Sequence, residues 1–279
     1  MADEQISPGR AGPYREPGVP VITGFNRHGI RTLYVKEVRR FFKVHLQTIW
    51  APAITTLLFL AIFTVALGAH RANILGVPYA SFLAPGLIIM GMAQNAFQNT
   101  SSSLLSGKVQ GTIIDILMPP LSPGELLIAF VAGALTRAWL VGGAVWLAML
   151  LWPGVHVLPA HPWPILFFGT AGATMMALVG MLTGIWAEKF DHGAAVANFV
   201  VQPLTLLSGT FYAIDRLAPA FQAVSHMNPF FYMIDGFRAG FIGVSEADPR
   251  IGAGFLLMLV VALWMVCYSV LKSGWKLRA

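Results

Sequence analysis

Long runs without a single Lys, Arg, Asp or Glu alternate along this chain with short charged or proline-rich breaks. The charge-free run between Lys43 and Arg71 predicts a membrane-length helix over 49–69. The run from Arg71 to Lys108 predicts a second over 82–103. Residues 126–152 are apolar apart from Arg137 and predict a third; 164–187 predict a fourth. Between these two lie Pro153, Pro159, Pro162 and Pro164, which lack amide hydrogens and forbid a continuous helix. A fifth span is expected over 194–212 and a sixth over 251–271. Each run reaches or approaches the ~20 residues that cross hydrocarbon. Residues 217–241 are also apolar, but Pro219, Pro229 and Gly236 interrupt them. Short re-entrant or external helices are expected there, before the last span.

Upstream of the spans the periodicity changes. Ile30, Leu33, Tyr34, Val38, Phe41 and Phe42 fall on one helical face, and Lys36, Arg39, Arg40 and Lys43 on the other. Residues 26–46 therefore read as a basic amphipathic helix in the headgroup layer, serving as an anchor or as a gate. Residues 1–25 are rich in Pro, Gly and charge and read as a disordered cytoplasmic tail. Residues 47–275 form the transmembrane domain, and 276–279 a short cytoplasmic tail.

Composition agrees. The chain is 56% hydrophobic and 11% charged, against about 25% charged in soluble proteins. So few charges cannot clothe a water-soluble surface of this size, which excludes an ordinary cytosolic enzyme. The fold class is all-α integral membrane. The net charge of +6 reads as a topology signal rather than a nucleic-acid surface. Arg27, Arg31, Lys36, Arg39, Arg40 and Lys43 precede the first span. Lys108, Lys189, Lys272, Lys276 and Arg278 flank later spans on the same side, while the other side has Arg71, Arg216, Arg238 and Arg250. Both termini are thereby placed in the cytoplasm, as six spans require, and no signal peptide precedes them.

Motifs for chemistry are missing. Gly107-Lys108 is followed by Val109 and fails the phosphate-loop pattern, and no dinucleotide, zinc-protease or serine-hydrolase motif occurs. Cys267 has no disulfide partner and reads as a small buried hydrophobe. His156 and His161 share a loop without further metal ligands. The chain is expected to be no enzyme and to bind no metal or cofactor.

Four features rise above this background. Gln94, Asn95, Gln98, Asn99 and Ser102 form one stripe of the second span, because their spacing matches a helical turn. Amides in lipid must face protein or water, so the stripe is either interhelical glue or the lining of a translocation path or subunit seam. The loop Thr112, Ile113, Ile114, Asp115, Ile116, Leu117, Met118, ended by Pro119 and Pro120, is a short apolar helix. It either invites a protein partner or packs on its own bundle. Arg137 is expected to snorkel to the cytoplasmic boundary. In Ser225–Gly243, Asn228-Pro229 marks a turn, Asp235 and Arg238 are spaced for a local ion pair, and Gly236, Gly240 and Gly243 for close helix contacts. The aromatic residues of that segment suit an interfacial position.

Two of these segments carry a resemblance. Lys108, Gly111, Thr112, Leu117, Pro120, Leu121, Ser122, Pro123 and Glu125 match one motif, and Asn228, Pro229, Phe230, Tyr232, Asp235, Gly236, Arg238 and Gly243 another. Together with the order of spans, over about residues 25–275, they resemble the type-2 ABC exporter permeases, a family of drug, polysaccharide and nodulation-factor export subunits. The family usually has acidic residues after its Gly-Thr, where this chain has Ile113 and Ile114 before a single Asp115. The resemblance implies a bacterial inner-membrane homodimer that borrows a separate cytoplasmic ABC ATPase for ATP and Mg and contacts membrane lipid. Residues 112–118 would be the coupling helix, 30–45 the gate helix, and 215–243 the external helices closing the outer mouth. The substrate would be drug-like, a lipid, or a polysaccharide or glycolipid. A proton-driven secondary carrier is the rival class, but it needs a mid-span Asp or Glu, and none is present. A lipid-acting enzyme would need clustered polar groups, and no motif joins His226 to Asp235.

Overall fold

A computed structural model describes residues 24–67, 73–152 and 154–276. Most of the expected N-terminal tail, Arg71, the end of the first expected span and residues 277–279 lie outside the described residues.

Helix α1 (Arg27–Phe42) is capped by the Asn26 side chain, which accepts from the Gly29 amide. A π-helical turn, Leu46–Trp50, joins it to α2 (Ala51–Leu67). A two-residue hairpin pairs β1 (Asn73–Ile74) with β2 (Val77–Pro78), in register Asn73 with Pro78. Then come α3 (Tyr79–Val109), the short α4 (Ile113–Leu117) and α5 (Pro123–Leu150). Ser122 and Glu125 form a full capping box at the start of α5. Helix α6 (Pro162–Trp186) is followed by a composite of α7 (Phe190–Val196), a π turn (Ala197–Val201) and α8 (Gln202–Leu206). Helices α9 (Pro219–Met227), α10 (Pro229–Ile242) and α11 (Pro249–Ser273) complete the chain.

Five helices among the described residues are long and apolar enough to cross a membrane: Leu46–Ala66, Tyr79–Val109, Pro123–Leu150, Pro162–Trp186 and Pro249–Ser273. The span expected over 194–212 falls on the composite helix. It starts earlier than expected, at Phe190, runs on through the π turn as 17 unbroken helical residues to Leu206, and gives way to turns at 207–212. Pro203 removes a backbone donor there. The interrupted segment 217–241 forms the two short helices α9 and α10, as its prolines predict.

Helix α3 is the axis of the bundle. It is nearly buried along its whole length and packs mainly on α6 and α5. Gly180 and Gly184 of α6 let the two backbones meet: a Cβ at Gly180 would lie 2.3 Å from the Phe97 carbonyl oxygen, and one at Gly184 3.0 Å from that of Ser101. Helix association in lipid rests on such small residues, since tails are as apolar as leucine. Helices α2 and α11 are mostly exposed and present Ile54, Leu58, Ile62, Met258, Val261 and Met265 outward, as lipid-facing helices do.

The two ends of the bundle differ. At one end lie the start of α1, the end of α3, α4 and the ends of α6 and α11. There Lys108 donates to the carbonyls of Ile185 and Ala187 at 2.6 Å, and Lys276 pairs with Glu188 at 2.8 Å. That hydrogen bond from Lys276 holds the Glu188 carboxyl below its ordinary range. The hairpin, α9, α10 and the loop before α11 lie at the other end.

Candidate functional site

The polar stripe of α3 opens into a cleft of about 1000 Å³, bounded by the end of α1, α2, α5, α6 and the composite helix. Gln94, Asn95, Gln98 and Ser102 line it, together with Arg40, Arg137 and Asn198. The expected stripe is therefore one wall of a real cavity. It also supplies interhelical bonds, and its fifth member, Asn99, is fully buried and does not line the cleft.

Three sets of bonds organise the wall. Gln94 donates to the Gln202 side chain at 2.9 Å, tying α3 to α8. Arg137 reaches across from α5, and its Nε and Nη2 donate to Asn95 Oδ1 at 3.1 and 2.8 Å. Asn95 Nδ2 in turn donates to the Gly91 carbonyl at 3.0 Å. Arg40 of α1 donates to Ser102 Oγ at 3.1 Å and to the Asn99 carbonyl at 2.7 Å.

Arg137 corrects the sequence reading. It is only 6% exposed and sits halfway along α5, so it does not snorkel to a boundary. The side chain finds its partner on the neighbouring helix instead, which a hydropathy pattern does not reveal.

Glu37 was missed altogether. It lies one turn from Leu33 and one from Phe41, in the middle of the apolar face of α1, and is fully buried. Its Oε1 accepts from Ser103 Oγ at 2.7 Å, and its Oε2 from Arg40 at 3.1 Å. Gly133 of α5 makes room, because a Cβ there would lie 2.9 Å from that of Glu37. Helix α1 is thus docked into the bundle by a buried carboxylate, rather than merely resting on a headgroup layer. The available signal was an acidic residue at i+4 from Leu33 and i−4 from Phe41.

Residues 112–118 form a helical turn with two faces. Ile113 and Ile116 are buried against the bundle, while Ile114 is 56% and Met118 77% exposed, with Leu117 also outward. Thr112 and Met118 cap α4, and Asp115 lies in its first turn. Packing on the bundle and presentation of an apolar patch are therefore shared between the two faces.

At the opposite end the motif of α10 builds a buried lock. The Asn228 side chain accepts from the Phe230 amide and donates to the Leu204 carbonyl at 2.7 Å, with Pro229 opening the helix. The expected Asp235–Arg238 ion pair does not form. Asp235 accepts from Ser245 Oγ at 2.6 Å and from the amides of Glu246 and Ala247 at 2.9 and 3.0 Å. Arg238, almost wholly buried, pairs with Glu246 at 3.4 Å, donates to the Gly209 carbonyl at 2.7 Å and covers the Phe82 ring at 3.8 Å. Longer-range partners win because both side chains point into the bundle, where loop amides and carbonyls need satisfying. Burial pushes the Glu246 carboxyl up to about 6, with Arg238 and the Ile214 amide opposing. Gly236 and Gly240 bring α10 against Phe168 and Ile165 of α6, as their spacing predicts. Phe230, Phe231, Phe237 and Phe241 are buried, so the aromatic side chains here are core rather than an interfacial belt.

Apolar membrane-length helices around a polar cleft define a multi-pass membrane protein. The ABC-2 type transporter family profile matches residues 28–242. The inner membrane transport permease YadH of Escherichia coli K12 is 34% identical over 251 residues, covering 90% of this chain and 97% of its own. Nodulation protein J of Neorhizobium galegae is 26% identical over 74% of this chain and 78% of its own. Nodulation protein J of Rhizobium leguminosarum bv. viciae is 27% identical over 74% and 79%. The chain belongs to the ABC-2 type transporter family and is a multi-pass inner-membrane protein.

Proposed function

We propose that this chain is the membrane subunit of an ATP-driven exporter, working as a homodimer with a separate ABC ATPase that binds the ATP and Mg. One observation carries the reading: α4 is anchored by Ile113 and Ile116 and presents Ile114, Leu117 and Met118 as an exposed apolar patch beside the charged end of the bundle. Exposed apolar patches rimmed by polar groups mark docking sites. The excess of Lys and Arg at that end supports a cytoplasmic location for it and for both termini.

Closure of the ATPases on ATP would move α4. Through α3 and α1 that motion would shift the cleft between inward-open and outward-open states. ATP does this only by binding one state more tightly than the other. Helix α1, held by Glu37, would be the gate; the Asp235, Arg238 and Glu246 lock would close the outer mouth. The substrate would be drug-like, a lipid, or a polysaccharide or glycolipid.

Co-expression with genomic neighbours, followed by detergent purification through this chain, tests the reading. A soluble ATPase with a phosphate-binding loop is expected at one-to-one stoichiometry. A chain that purifies alone and still moves solute on a proton gradient would be a secondary carrier, and the proposal would fail.

A further inference from the structure

The cleft contains two arginines, Arg40 and Arg137, and no Lys, Asp or Glu lines it. Arg40 is balanced by Glu37. Arg137 is not: none of the three ion pairs among the described residues includes it, and its bonds go to the neutral Asn95. Its level is the middle of the bundle, since Asn95 lies halfway along α3 and Arg137 halfway along α5. An arginine at the centre of a membrane helix is costly to insert, and such residues pair with an anion or mark a pathway. Around it the wall offers both polar and apolar side chains. Arg40, Gln98, Ser102 and Asn198 are polar, while Phe59, Leu87 and Met90 are apolar.

We infer that the cleft binds the anionic headgroup of an amphiphile, with a phosphate on Arg137 and the chain along Phe59, Leu87 and Met90. The Arg137 guanidinium is planar and forked, which suits phosphate oxygens. Asn95 holds it by Nε and Nη2, which fixes the plane of the fork. The volume of about 1000 Å³ admits a headgroup together with part of its chain. The inference rests on the exporter reading for its biological direction, but the binding step does not require the ATPase.

The test is native mass spectrometry of the full purified chain, released from a neutral detergent. Four probes are compared: dodecyl phosphate against dodecanol, and phosphatidylglycerol against phosphatidylcholine of the same chains. Wild type should retain the anionic member of each pair at least about tenfold better, as a charged hydrogen bond allows. Arg137→Gln, which can still bond Asn95, should lose that preference. So should Gln98→Glu, which leaves Arg137 in place and puts a carboxylate on the exposed cleft wall. Stronger retention of dodecyl phosphate assigns the site to a single-chain solute, and stronger retention of phosphatidylglycerol to a membrane lipid. No preference in wild type, or preference kept in either variant, overturns the inference. Co-purification of the ATPase is scored on the same samples. A variant that loses the probe but keeps the ATPase leaves the exporter reading intact, and the reverse result strikes that reading alone.

Discussion

Glu37 and Arg40 show how single residues decide what a helix does. A carboxylate that is 0% exposed survives only when its bonds are made, and Glu37 has Ser103 and Arg40. Glu37→Ala should therefore cost about 3 kcal/mol, near the low end for broken buried pairs, because Arg40 keeps 31% exposure and can rehydrate. Thermal unfolding in detergent measures this, and an unchanged transition would contradict the docking described for α1. Glu246 gives a pH signature. Its pKa of about 6 lies above the ordinary 4.5, so the folded protein binds more protons between those values than the unfolded chain. Its contribution is fully present below 4.5 and lost as pH rises through 6. The melting temperature of wild type relative to Glu246→Gln should fall over that window and stay flat above pH 7; a constant difference across it refutes the assignment. These residues were only partly legible in the sequence. The amide stripe announced itself because helical spacing and chemistry coincide. Glu37 and Arg137 did not, because a charge on an apolar stretch looks the same whether it faces lipid, snorkels or meets a partner. Only the neighbouring helix distinguishes these cases.

At the scale of elements, most helices could be read from charge-free runs and proline breaks. The membrane solvent forces backbone polar groups into helices, so length and apolarity suffice. The composite α7–α8 was less legible, because neither its π turn nor Pro203 shortens the apolar run itself. Helix pairing was partly visible: Gly236 and Gly240 were recognised, whereas Gly180 and Gly184, with the same spacing on α6, were not. Their interface can be tested. In Gly180→Ala the new Cβ meets the Phe97 carbonyl, which is backbone and cannot swing aside. A loss of about 1–3 kcal/mol is expected from overpacking. Gly143→Ala, with nothing within 4 Å, should be neutral or slightly stabilising. Equal behaviour of the two variants in size-exclusion and melting assays would contradict the α3–α6 contact.

For the whole molecule, the account joins two ends through one buried axis. Helix α3 starts among the residues of the Asp235, Arg238 and Glu246 lock, where Phe82 lies under Arg238, and ends beside α4. A push at α4 therefore has a stiff route past the cleft to the opposite end. In the proposed function the two-faced α4 is where that route would meet the ATPase, and its exposed face, Ile114, Leu117 and Met118, is separate from its buried one, Ile113 and Ile116. The measurement that bears most directly on the central claim is the amount of ATPase co-purifying with wild type and with Ile114→Glu, at equal yields of folded membrane protein. Wild type should bring down one ATPase per chain, and Ile114→Glu should lose it, because a carboxylate in the middle of the apolar patch cannot be desolvated on docking. Undiminished ATPase on Ile114→Glu would show that α4 is not the docking surface and contradict the account.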